Sequence, residues 1–223
     1  MEELIRSPLA VRGVLVAPQL ADAPRGALLL GMLRTAAIEI LEIPPLEFAS
    51  AAETESPQGV LAIAEIPERS LTTLELAAAA RIVVLDAVQD PGNVGTILRT
   101  AAALGASAAV ALPGTVDLWN AKVVRSAMGA AFHFPAFATT WDELDVFRAQ
   151  HGVALWGTDS SGTELGMLTA PSRLALVVGN EGAGMSADAR SRVDVLAALP
   201  IGSLVESLNV AVATGIFLYQ LRP

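Results

Sequence analysis

Leu85-Asp86-Ala87-Val88-Gln89-Asp90-Pro91-Gly92-Asn93-Val94-Gly95-Thr96-Ile97-Leu98-Arg99 is the stretch on which the reading of the chain turns. It leaves an apolar run, Ile82-Val83-Val84-Leu85, and bends at Asp-Pro-Gly. A helix then begins, because Val94, Ile97, Leu98, Ala101 and Leu104 recur at helical spacing until Gly105 stops them. Asn93 is placed to cap that helix, and Gly95 permits close backbone approach. One reading of Arg99 is an exposed arginine on a capped helix; the other sets Asn93 and Arg99 at a common cleft.

Outward from this stretch the same grammar repeats. Ala108-Ala109-Val110-Ala111-Leu112, Val153-Ala154-Leu155-Trp156, Leu174-Ala175-Leu176-Val177-Val178 and Val195-Leu196-Ala197-Ala198-Leu199 are continuously apolar, as parallel strands covered on both faces should be. Helices are expected over 141–150 and 208–221. Strand, helix, strand from residue 81 onward predicts an α/β domain with a mainly parallel sheet. Ahead of it come strands at 14–16, 37–43 and 60–64 and a helix over 28–34, with turns at Pro44-Pro45 and Ser56-Pro57-Gln58-Gly59. Domains are expected over 1–75 and 76–223.

Composition narrows the partners. The 223 residues are 53% hydrophobic but only 4% aromatic, so the core is built from Ala, Val, Leu and Ile. No apolar stretch reaches the roughly 18 residues of a membrane span, and the start lacks a secretory pattern, so a cytoplasmic protein is expected. Without cysteine there is no disulfide, thiolate metal site or thiol nucleophile. A net charge of −9 argues against nucleic acid, whose phosphates usually demand a basic footprint. His133 and His151 lack a partner constellation, and Trp119, Trp141 and Trp156 suit packing better than base stacking. Asp90-Pro91-Gly92-Asn93 is no dinucleotide fingerprint, and the absence of Gly-Lys-Ser/Thr excludes a phosphate-binding GTPase.

Ligands of open parallel sheets gather at the carboxyl ends of strands. Two more loops lie there. Val178-Gly179-Asn180-Glu181-Gly182-Ala183-Gly184-Met185-Ser186 holds three glycines, for positive φ or a ligand against the backbone, or simply for flexibility. Leu199-Pro200-Ile201-Gly202-Ser203-Leu204-Val205-Glu206-Ser207-Leu208-Asn209-Val210 sets Ser207 and Asn209 at the mouth of an apolar helix. Ser207 as the helix cap is the plainer reading, but a buried Asn209 needs a partner.

In this order and spacing the three loops resemble the signature motifs of the SpoU family of the SPOUT superfamily, RNA ribose 2′-O-methyltransferases. The matching residues are Asn93, Gly95 and Arg99; Gly179, Glu181 and Gly184; and Pro200, Ser207, Leu208, Asn209 and Val210. Lys122-Val123-Val124-Arg125-Ser126-Ala127-Met128-Gly129-Ala130 is similar to the family's middle segment. The resemblance implies a C-terminal trefoil knot, a homodimer and S-adenosylmethionine as methyl donor, with no metal. It implies Gly179, Glu181, Gly182, Leu199, Ile201, Gly202 and Leu208 at the cofactor, and Asn93, Arg99, Glu181, Ser207 and Asn209 in catalysis. Arg99, Lys122 and Arg125 would contact RNA. The first domain resembles an L30e-like substrate-binding domain through Pro57-Gln58-Gly59-Val60-Leu61-Ala62, but without that domain's opening elements. Ribosomal RNA is the expected substrate; a tRNA methyltransferase, or a non-catalytic RNA- or ribosome-binding protein, is the alternative.

Overall fold

The computed structural model describes residues 1–52 and 56–222. The chain divides into two compact units, Met1–Glu68 and Arg69–Pro223. The division falls ahead of residue 75 because Leu71, Leu74 and Leu76 pack into the core of the second unit.

The first unit runs α1 (Glu2–Ile5), β1 (Val11–Val16), α2 (Pro24–Thr35), β2 (Ile40–Glu42), α3 (Pro45–Ala51) and β3 (Val60–Ala64). β1 pairs parallel to β2 and antiparallel to β3. Val14, Val16, Leu20, Leu29 and Leu33 form its core. The expected strand over 37–43 is shorter, since Ala37 holds a positive φ of 54° that ends α2 rather than extending a strand. Pro44-Pro45, expected as a turn, instead opens α3, with Pro45 in the first helical turn where its missing N–H costs nothing.

In the second unit β4 (Ala80–Leu85), α4 (Pro91–Ala103), β5 (Ala108–Ala111), α5 (Ala121–Ser126), α6 (Ala130–His133), β6 (Ala136–Ala138) and α7 (Trp141–His151) come first. β7 (Ala154–Glu164), β8 (Arg173–Val178), α8 (Ala187–Arg192), β9 (Val195–Ala198) and α9 (Val210–Gln220) complete it. Six strands lie in the order β6-β5-β4-β8-β7-β9, every pair parallel. The continuous apolar runs have a direct cause. Val83, Leu85, Leu174, Leu176 and Val178 face a core with Val94, Ile97 and Leu98 of α4 and Phe217 and Leu218 of α9. Ile82, Val84, Ala175 and Val177 face the other layer, with Leu144 and Phe147 of α7 and Ala189 of α8. Alternate residues are therefore buried on opposite faces.

Two caps differ from expectation. Asp90, not Asn93, caps α4: its Oδ1 accepts the Asn93 backbone N–H at 2.9 Å, with Pro91 at the first helical position. Asn209, not Ser207, caps α9, its Oδ1 accepting from Ala211 at 2.9 Å and Val212 at 3.3 Å. The first shift leaves the side chain of Asn93 free for other bonds, and the second leaves the Nδ2 of Asn209 free to donate.

Candidate active site

The carboxyl ends of β7, β8 and β9 surround a cavity of about 500 Å³. Thr158, Asp159 and Ser160 line it from β7, residues 179–184 from the turn after β8, and Leu199, Ile201 and 206–209 from the segment before α9. Phe217 adds an apolar wall. The turn after β8 closes on itself through backbone bonds between Asn180 and Gly184, both 2.9 Å. Gly184 holds φ of +69° there. Gly179 serves packing as well as ligand access: a Cβ on it would lie 2.3 Å from the Met185 nitrogen. Asn180 ties the turn to the loop after β4, its Nδ2 donating to the Ala87 carbonyl at 2.9 Å, while its Oδ1 accepts from the N–H groups of Gly182 and Ala183.

One hydrogen-bond chain joins all three loops. The Glu181 carboxylate accepts from the backbone N–H of Gln89 at 3.2 Å and Asp90 at 3.1 Å, and from Asn93 Nδ2 at 3.0 Å. Asn93 Oδ1 in turn accepts from Asn209 Nδ2 at 2.9 Å. Asn209 Oδ1 is held by the first turn of α9, so each amide in the chain has one orientation that satisfies every partner. Burial pushes the Glu181 carboxyl up, but the bonds from Asn93, Asp90 and Gln89 outweigh it and hold the group below the usual carboxylate range. Glu181 is therefore an ionised anchor rather than a proton donor at neutral pH.

Of the sequence-expected residues, Gly179, Glu181, Gly182, Leu199, Ile201, Ser207, Leu208 and Asn209 meet at the cavity. Asn93 stands behind it, bonded to two of them. Gly202 lies on the same segment but not on the lining. Arg99 is exposed on α4, off the lining, with no hydrogen bond or ion pair among the described residues. Lys122 and Arg125 are exposed on α5, Lys122 Nζ lying 3.9 Å from Asp90. Gly95 brings α4 and α5 together; a Cβ there would meet Ser126 and the Val123 carbonyl at 2.5 Å.

Sequence reasoning missed Thr158, Asp159, Ser160, Glu206 and Phe217 of the lining. Ser161 and Arg190 both bond the Asp159 carboxylate, and these contacts keep its pKa low despite burial. Asp159, Glu181 and Glu206 line the cavity, and among the described residues no Lys, Arg or His of the chain joins them. The N–H groups of Ala211 and Val212 in the first turn of α9 are already bonded to Asn209, so they are not free for an anion. The site thus disfavours phosphorylated ligands and fits a cationic one with an apolar body, set against Leu199, Ile201, Leu208 and Phe217. Among the described residues no His, Asp and Glu group is arranged to hold a metal, and no helix is long and apolar enough to cross a membrane.

Comparison with known proteins agrees with this geometry. The 23S rRNA (guanosine(2553)-2′-O)-methyltransferase RlmP of Bacillus subtilis is 37% identical over 227 aligned residues, covering 100% of this chain and 85% of that protein. The SpoU methyltransferase AviRb of Streptomyces viridochromogenes, solved in complex with AdoMet, superposes with a TM-score of 0.88 at 28% identity, over 99% of this chain and 85% of that one. An AdoMet-bound rRNA methyltransferase of Sinorhizobium meliloti gives 0.85 at 26% identity, over 100% and 84%. The SpoU rRNA Methylase family matches residues 80–219, a span that holds the parallel sheet and all three linked loops, and the chain belongs to that family.

Proposed function

We propose that the chain transfers a methyl group from S-adenosylmethionine to a ribose 2′-hydroxyl of ribosomal RNA. The observation that carries this is the Glu181–Asn93–Asn209 chain, which fixes three loops around a cavity suited to a cationic nucleoside. Intact polar residues throughout that chain speak against a non-catalytic scaffold, and relatives matched over the whole chain are named for rRNA rather than tRNA.

When bound, the donor supplies a methyl group on a positively charged sulfur. The chain's part is to align and to stabilise. Gly179, Gly182, Leu199, Ile201 and Leu208 hold the donor through backbone and apolar contact, and Asn93 and Asn209 fix the loops, so alignment is preorganised. A guanidinium is a donor and not an acceptor of hydrogen bonds, so Arg99 binds a phosphate beside the ribose and stabilises developing alkoxide charge, while the hydroxyl proton passes to solvent as the methyl group leaves the sulfur.

Arg99 lies off the cavity of its own chain, so this reading needs a second copy. On the same helix as Arg99, Thr96 and Thr100 line a groove between α4 and α9 together with Val212, Ile216 and Tyr219. The last three are apolar and exposed, which suits a homodimer that carries Arg99 to the partner cavity. A trefoil knot in the segment after β8 belongs to the same proposal, supported by the turn 179–184 and the segment 199–209 lining one cavity. So do an L30e-like first unit and a cytoplasmic location.

Calorimetry with S-adenosylmethionine and mapping of ribose methylation on ribosomal RNA test the reading. Arg99→Ala should lower methyl transfer by roughly a hundredfold or more while leaving donor affinity within about twofold, since its assigned partner is the RNA phosphate and not the donor. Full transfer by Arg99→Ala would refute the assigned role, and Arg99→Lys isolates the contribution of the guanidinium fork.

A further inference from the structure

We propose that the cavity selects its ligand by charge, with Glu206 favouring the sulfonium donor over the uncharged thioether left after transfer; this rests on the methyltransferase reading above. Three carboxylates line the cavity. Glu181 is engaged by Gln89, Asp90 and Asn93, and Asp159 by Ser161 and Arg190. Glu206 is exposed and has neither hydrogen bond nor ion pair among the described residues. Among the described residues no Lys, Arg or His of the same chain lies on the lining, and the Arg99 that a second copy brings is engaged by the RNA phosphate, so Glu206 has no cationic partner until the donor binds.

Donor and product share the adenosine and the amino-acid tail. They differ by one methyl group and one positive charge on sulfur. Backbone bonds to the loops and apolar contact with Leu199, Ile201 and Phe217 therefore hold both about equally. An uncompensated carboxylate does not. A sphere of the cavity's volume, about 500 Å³, is roughly 10 Å across, so a bound sulfur lies within about one Debye length of Glu206 on the wall. At that range in a solvent-open site the attraction amounts to roughly five- to tenfold in affinity. The same charge lets the product leave once the sulfur is neutral, so Glu206 is a specificity residue whose effect is on exchange of spent for fresh donor.

Calorimetry on the wild type and Glu206→Gln, with S-adenosylmethionine, S-adenosylhomocysteine and sinefungin, separates the possibilities. Sinefungin carries a protonated amine in place of the methylated sulfur, so it reports charge without sulfonium chemistry. Glu206→Gln should weaken both cationic ligands by roughly five- to tenfold and S-adenosylhomocysteine by less than about twofold. Raising the salt concentration should shrink the same difference in the wild type. Equal weakening of all three ligands, or no change in their ratio, would overturn the proposal. Failure of all three to bind the wild type would overturn the methyltransferase reading itself.

Discussion

Asn93→Asp is the most informative single change, because it replaces one atom and inverts one interaction. Asn93 Nδ2 donates to Glu181 Oε1 at 3.0 Å; an aspartate oxygen in its place would set two carboxylates at about that separation. Two unit charges 3 Å apart repel by about 1.4 kcal/mol at the dielectric of water and about 5.5 kcal/mol at an effective value of 20. Glu181 is exposed, so the repulsion lies toward the lower figure. Loss of a hydrogen bond to a charged group adds about 1.5 kcal/mol. The variant should thus lose about 2–4 kcal/mol of stability at pH 7.5. The pH dependence is the sharper test. Repulsion raises the folded-state pKa of the pair above its unfolded value, so the penalty is present above the raised pKa and disappears as pH falls through it. Urea denaturation should show the gap to wild type narrowing between pH 7.5 and 5, as one shared proton restores a hydrogen bond. A gap that is absent at pH 7.5, or that keeps its size down to pH 5, would show that Asn93 and Glu181 are not coupled as described.

Three further outcomes follow from the same geometry. Gly179→Ala should cost about 1–3 kcal/mol and weaken donor binding, because its Cβ would meet backbone atoms of Gly184 and Met185 that cannot swing aside; thermal melting and calorimetry measure both. Arg81, only 6% exposed, donates to the carbonyls of Leu221, Ala80 and Ser172 and so fixes the end of α9; Arg81→Leu should lower stability by about 2–3 kcal/mol in urea titration. The Glu181 pKa is lowered by folding, so its contribution is full above the ordinary glutamate value near 4.3 and lost as pH falls through the folded value. Glu181→Gln should therefore flatten that part of the acid-denaturation curve.

The sheet was legible because burial on both faces writes continuous apolar runs, and β4, β5, β8 and β9 all carry one. The site was legible as three loops but not as one network. Asn93 and Asn209 are 116 positions apart, and no local period reports a hydrogen bond between them. The caps were misassigned for a related reason: Asp, Asn and Ser are all good N-caps, and tertiary partners decide which one takes the role. Asp159 escaped notice because 159–162 reads as a polar loop, yet β7 continues through it with a register shift against β9 between Thr158 and Thr163. Glu206 was hidden inside a quoted motif. Only the cavity shows that its carboxylate lacks a partner when Asp159 and Glu181 have theirs.

The acidic balance of the chain loses its force once the cations are sorted by their partners. Arg6, Arg12, Arg25, Arg148, Arg190 and Arg192 pair with carboxylates, so they contribute little field of their own. Arg69, Arg81 and Arg173 donate to backbone carbonyls. What stays exposed in the second unit without a close carboxylate partner includes Arg99 and Arg125, with Lys122 loosely held at 3.9 Å from Asp90. These three lie on α4 and α5, which Gly95 packs tightly together. A net charge of −9 is therefore compatible with a local excess of exposed cations on α4 and α5. Phosphate affinity depends on the charges that counterions still surround, not on the sum over the chain. Electrostatic attraction to RNA from so few free cations is modest, and specificity for one ribose must come mainly from shape and from the fixed loops of the cavity.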